Sequence, residues 1–205
     1  MKLKVTLPES IKEVSLNQYQ RFYKLTQRED LSQLNFNKRK IEIFTELNYK
    51  QVGKIPYQDY TDIIEQIDKA INIDYGFEQR FFIGDVEFGF IPNLDKITTG
   101  EFADLSKWGV DVDNLHRVMA ILFRPIVTTD AFGNYQIAAY NGTDEFHEIM
   151  RRTPMHIVNG ALDFFYNLAK ELRVDIQRYT NRELMKEAKH QAILKSGVGM
   201  PPSLN

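Results

Sequence analysis

The feature that most constrains this chain is a pair of stretches with period-two alternation, each folded back on a turn signal. In "EQRFFIGDVEFGFI", two short strand-like runs flank Gly84-Asp85, a dipeptide suited to a two-residue hairpin. Val86, Phe88 and Phe90 alternate with Asp85, Glu87 and Gly89, which predicts one apolar face and one polar or bare face. Pro92 has no N–H to give a ladder, so the strand stops there. "PIVTTDAFGNYQIAAY" repeats the arrangement, with "DAFGN" as its turn.

Around the hairpins the spacing becomes helical. Ser15 followed by Gln18 is a capping box, opening a helix with Leu16, Tyr19, Phe22 and Tyr23 on one side. The polar stretch 26–37 reads as a loop, and helix resumes in "KRKIEIFTELNY" with Ile41, Phe44 and Leu47 spaced three apart. Pro56 suits a first helical turn, and Tyr60, Ile63, Ile64, Ile67 and Ile71 make an apolar stripe. Thr98 and Glu101 form a second capping box, ahead of a short helix holding Phe102, Leu105 and Trp108. A helix is expected from Asn114 to just before Arg124-Pro125, and another from near Thr143. The most apolar one takes Thr153 as N-cap and Pro154 in its first turn, with Met155, Val158, Leu162, Phe165, Leu168 and Leu172 as its buried stripe. Gly160 in its middle costs about 1 kcal/mol against alanine, a cost that close helix packing would offset. Thr180 and Glu183 cap a last helix.

Residues 2–7 alternate as a short N-terminal strand ended by Pro8. The expected fold class is α+β: predominantly helical, with two short β-hairpins, an N-terminal strand and a mobile C-terminal arm. One domain is expected over 1–195, divisible into sub-lobes 1–75 and 76–195, with the arm at 196–205. The arm holds two Gly and two Pro in ten residues.

Composition narrows the function. Fourteen Phe and ten Tyr among 205 residues predict a core rich in aromatic rings. With 26 basic and 28 acidic residues the chain has no global electrostatic pull towards nucleic acid or an anionic membrane. No cysteine is present, which excludes disulfides, thiolate nucleophiles and cysteine-based metal sites. No window approaches the roughly 18 apolar residues of a membrane span. The start "MKLKVTLPESIKEV" lacks the apolar run of a secretory signal, so a cytoplasmic home is expected.

Signatures of catalysis are missing: no Walker A, no dinucleotide fingerprint and no nucleophile elbow. Of His116, His147, His156 and His190, no two share the i, i+4 spacing of a zinc pair, so each is expected at or near the surface without a ligand role. "DVDNL" at 111–115 lacks the glycine and distal glutamate of a calcium loop. The helix N-terminus at Thr98 could seat an anion, but Glu101 already places negative charge there. No catalytic residue, cofactor or metal is expected. Arg182, Lys186 and Lys189 alternate with Glu183 and Glu187 on the last helix, the pattern of an exposed face that can meet a protein partner. Val198, Met200 and Leu204 are apolar anchors on the arm, suited to docking on a neighbouring subunit.

Three stretches taken together carry a resemblance. They are "SLNQYQRFYKL" with "IEIFTELNYKQVGKIPYQDYTDII"; "GFIPNLDKITTGEFADL" with "HRVMAILFRPI"; and "YNGTDEFHEIMRRTPMHIVNGALDFFYNLAKEL". Their order resembles a group of tailed-bacteriophage proteins known as tail-assembly chaperones or virion structural proteins, over roughly Ser15 to Leu172. The resemblance implies a non-enzymatic virion or assembly protein, put together in the bacterial cytoplasm. Its partners would be other phage structural proteins and copies of itself, with no membrane and no nucleic acid. A chaperone absent from the finished particle is the alternative, and a phage-encoded enzyme or nucleic-acid-binding factor is the alternative of another class. The resemblance assigns no site residues.

Overall fold

The structure, a computed structural model, describes residues 5–72, 76–109 and 111–167. Residues 1–162 make one compact unit and 163–205 a second. The fold is α+β and predominantly helical, with one four-stranded antiparallel sheet. The expected strand over 2–7 does not form in its described part: 5–7 join no sheet, although Val5 and Leu7 are half-buried and Thr6 is exposed. Alternation there buries one side of the chain without a partner strand.

Four helices come first: α1 (Leu16–Thr26), α2 (Gln33–Phe44), α3 (Tyr49–Val52) and α4 (Tyr57–Ala70). The Ser15/Gln18 capping box is present. On α1 the buried face holds Leu16, Gln20 and Leu25, and Tyr23 turns outward. Helix α2 starts inside the stretch read as a loop, because Ser32 caps it by accepting from the Asn35 N–H at 3.4 Å. Gln33 and Asn37 then bridge one turn at 3.0 Å. Leu47 is buried beyond the helix, after Thr45 ends it. On α4 the stripe forms as expected, with Tyr60, Ile63 and Ile67 buried and Ile64 and Ile71 half-buried.

The two hairpins form, and they join. Strands β1 (Arg80–Ile83) and β2 (Val86–Phe90) meet across a turn in which Gly84 has φ 61°. Strands β3 (Phe123–Thr129) and β4 (Tyr135–Ile137) meet across the second turn. Pairing of β2 with β3 at Phe88↔Pro125 and Phe90↔Phe123 completes the order β1-β2-β3-β4. The inner face stacks Phe81, Phe88, Phe90 and Phe123, with Phe123 about 5 Å from both Phe81 (5.0 Å) and Phe90 (5.1 Å), edge to face. Val86, expected on that face, sits beside the turn and is exposed. The bare position Gly89 is covered: a Cβ there would lie 2.4 Å from the Tyr135 ring.

Between β2 and β3 run α5 (Thr99–Trp108) and α6 (Leu115–Leu122). The Thr98/Glu101 box caps α5, but Phe102 points to solvent and Glu101 is buried in its place. Helix α6 is buried at every residue except Arg117, and it passes directly into β3 at Phe123, one residue before the expected end. Next come α7 (His147–Met150), starting a turn later than expected, and α8, helical from 155 to the end of the first unit. Pro154, not Thr153, stands at the α8 N-terminus; Thr153 is wholly buried, with its hydroxyl on the Met150 sulfur at 3.5 Å. Met155, Val158 and Ala161 are buried along α8. Gly160 admits close packing, though against chain and not helix: a Cβ would lie 2.1 Å from the Gly76 carbonyl oxygen.

Backbone hydrogen bonds tie the start of α1 to the α7–α8 junction. Leu16 N–H donates to Thr153 O (2.8 Å), Asn17 N–H to Arg151 O (2.8 Å) and Met155 N–H to Val14 O (2.8 Å). This seam brings α1 alongside α7.

Candidate functional site

The seam gathers the densest set of chemically capable side chains among the described residues. Helix α1 presents Gln20, α6 presents His116, and α7 presents His147 and Glu148, with Arg151 just past its end. His116, His147 and Glu148 offer ligand-type atoms that all lie within 4.8 Å of one another. The two rings are 5.5 Å apart between centroids.

Arg151 sits in the middle. Its Nη1 donates to Gln20 Oε1 at 2.9 Å, its Nη2 faces His116 Nε2 at 3.0 Å, and its Nε donates to Glu148 Oε2 at 3.0 Å. Gln20 Nε2 donates to the carbonyls of Val112 (2.8 Å) and Asp113 (3.0 Å) and lies 3.2 Å from His116 Nδ1. A guanidinium and an amide nitrogen are both donors, while a neutral imidazole carries one lone pair. One of the two contacts on His116 is therefore donor against donor, whichever tautomer forms. His147 Nδ1 lies 3.2 Å from Thr143 O, which fixes its proton on that side. Its Nε2 then faces Glu148 Oε1 at 3.2 Å. Arg117 holds the neighbouring loop, donating to Thr143 Oγ1 and Asp144 Oδ1, each at 2.8 Å.

The electrostatics follow from burial and from Arg151. Burial first, then the Arg151 charge, lower the His116 pKa to about 4, so the ring is neutral near pH 7. Burial works to raise the Glu148 carboxyl, but the Arg151 guanidinium, together with His147 and His116, holds the group below its ordinary range. His147 and His156 are half-buried, while the expectation that each histidine lies at or near the surface is corrected for His116, which is 3% exposed and faces His147. Spacing along the chain could not show this, because the two lie on different helices 31 positions apart. The available signal was a His in the run "LHRVMAIL", which is apolar but for His116 and Arg117.

A second polar cluster locks α5 to the sheet. Glu101 Oε2 accepts from Thr98 N–H (2.6 Å) and Oγ1 (2.7 Å), while Oε1 pairs with Arg124 Nη1 at 2.6 Å. Both side chains are buried, and burial alone would raise the Glu101 carboxyl; Thr98 and Arg124 hold it below the usual range. Tyr140 donates to Asp104 at 2.5 Å and lies under the Arg124 guanidinium at 5.4 Å. This cluster is the N-terminal cap extended into a buried ion pair, so the helix end holds the protein's own carboxylate and leaves no place for an outside anion. Asp111, from the rejected calcium-like stretch, likewise serves locally, accepting from Asp113 N–H at 2.9 Å.

Arg182, Lys186, Lys189, Val198, Met200 and Leu204, the expected partner contacts, all lie outside the described residues, as does His190. No helix among the described residues is long and apolar enough to cross a membrane. Compared with protein families, with curated proteins and with solved structures, the chain matches none.

Proposed function

We propose that this protein is a non-enzymatic structural or assembly component of a tailed-bacteriophage particle, put together in the host cytoplasm and working through contacts with other phage structural proteins and with its own copies. The observation that carries the reading is the placing of large apolar side chains on a well-braced sheet. Phe132 is 91% exposed at the β3–β4 turn, and Phe82 is 64% exposed on the edge strand β1. Behind them, Arg80 stacks on Tyr135 at 4.4 Å, and Tyr135 donates to Phe90 O at 2.8 Å. Rings presented on a rigid framework lose little entropy on docking, which is why aromatic residues anchor protein interfaces. The motif order from Ser15 to Leu172 supplies the particle, and the near-neutral charge gives no drive towards nucleic acid.

The test is mass spectrometry of gradient-purified particles from the native host, quantified against the major capsid protein. A fixed stoichiometry in the particle is expected. Absence from particles with abundance in the infected lysate would replace the virion role with that of a chaperone. Failure to find any particle would sink the phage reading.

A further inference from the structure

His116, His147 and Glu148 have the composition of a zinc-class site: two imidazoles, one carboxylate and no thiolate. His147 is oriented as metal-bound histidines are, with Nδ1–H on a backbone carbonyl, Thr143 O, and Nε2 turned inward. That inward nitrogen meets the Glu148 carboxylate at 3.2 Å, acceptor against acceptor, an arrangement that needs a cation or an added proton between the two. Arg151 supplies positive charge nearby, spanning Gln20, His116 and Glu148, but it does not reach His147 Nε2 by any hydrogen bond among the described residues. Its hold on His116 is poor, since that ring already faces the Gln20 amide nitrogen. The Arg151 side chain is 32% exposed, so it has a path to solvent.

We propose that His116, His147 and Glu148 bind a divalent zinc-class ion, and that Arg151 is the built-in competitor, lying on the acceptors when the ion is absent and swinging outward when it binds. His116 Nε2, His147 Nε2 and one Glu148 oxygen supply three ligands, and water completes the tetrahedron. Ligand atoms around zinc stand ~3.4 Å apart, so the present cluster has to draw in by about 1 Å. The ion joins α6 to α7 and stiffens the seam that carries α1. The proposal is independent of where the protein sits in a particle.

The experiment uses the full chain, stripped with EDTA and dialysed, titrated with Zn²⁺ against a chromophoric chelator and with Co²⁺ by its visible absorption. Wild type is expected to bind one equivalent saturably, with the absorption of nitrogen and oxygen ligation. Glu148→Gln and His147→Ala, both at the partly open side of the cluster, are expected to weaken binding at least about tenfold. Arg151→Gln removes the competing charge and is expected to tighten it about tenfold or more. Circular dichroism establishes that each variant is folded. No saturable binding by wild type up to millimolar zinc would overturn the proposal, even with binding by Arg151→Gln, since the arginine would then be the permanent occupant. Binding indifferent to His147→Ala and Glu148→Gln would overturn it too, by placing the ion elsewhere.

Discussion

Replacing Gly160 by alanine sets two physical effects against each other. Helix propensity alone favours the change by about 1 kcal/mol, because glycine loses more backbone entropy in a helix. Packing opposes it: the new Cβ would stand 2.1 Å from the Gly76 carbonyl oxygen, 2.7 Å from its carbon and 3.0 Å from Phe77 Cα. An ordinary carbon–oxygen contact is ~3.3 Å, so the 76–77 backbone has to retreat by about 1 Å. The Phe77 ring lies edge-on against Phe90 at 5.0 Å, and Phe90 against Phe123 at 5.1 Å, so the retreat pulls at the aromatic core. The atoms met are backbone, which places the steric cost near the upper end for overpacking, about 3 kcal/mol. The net expectation is a loss of about 2 kcal/mol, or about 4–8 °C in Tm for a chain of this size. Urea denaturation and thermal melting followed by circular dichroism measure it. Asn159→Ala in the same helix, where the side chain is only half-buried, reports the propensity gain without the clash and should not lower Tm. An unchanged or raised Tm for Gly160→Ala would refute the close approach.

Four further outcomes are expected. Glu101→Gln leaves the buried Arg124 guanidinium without its counter-charge and should cost about 3 kcal/mol in urea denaturation, and a loss under about 1 kcal/mol would mean the pair is dispensable. Because the Glu101 carboxyl is held below its ordinary range, its contribution is present above the unfolded-chain pKa and lost as pH falls through the lower folded value; the gap between wild type and Glu101→Gln should therefore close in acid, as melts across pH would show. Phe132→Ser removes a ring that is 91% exposed, so stability should stay within about 0.5 kcal/mol while recovery of the protein in purified particles falls. Deleting residues 196–205 should leave the melting of the free protein unchanged and weaken its incorporation into particles, and a truncated protein that assembles normally would count against the arm.

Much of the fold was legible because its signals are local. Capping boxes at Ser15/Gln18 and Thr98/Glu101 need only four consecutive residues, and both formed. The Gly84 turn needs one residue with positive φ, and the alternation beside it sets the register. Errors came where a local pattern was outvoted by packing. Phe102 looks like a core residue by type, but Glu101 is drawn inward by Arg124, and turning that face to the sheet turns Phe102 to water. Tyr23 loses its place to Gln20 for the same kind of reason, since Gln20 satisfies two carbonyls on the segment before α6 and one arm of Arg151. The start of α2 was hidden because Gln33, Asn35 and Asn37 are polar, and polar residues serve an exposed first turn as readily as they serve a loop.

The candidate site was illegible for a deeper reason. Its members come from α1, α6 and α7, and nothing in the spacing of Gln20, His116, His147 and Arg151 indicates that they meet. What brings them together is the backbone seam of Leu16 with Thr153 and Asn17 with Arg151, an irregular pairing that leaves no periodicity to read. A histidine in a buried apolar helix, however, poses a question that a sequence can ask: burial takes the ring out of water, so its nitrogens need protein partners. For His116 the partners are two donors competing for one lone pair. Such a mismatch costs stability unless something else uses the site. The poor fit around His116, more than the presence of two histidines and a glutamate, is what singles this cluster out from the ordinary ion pairs of the fold.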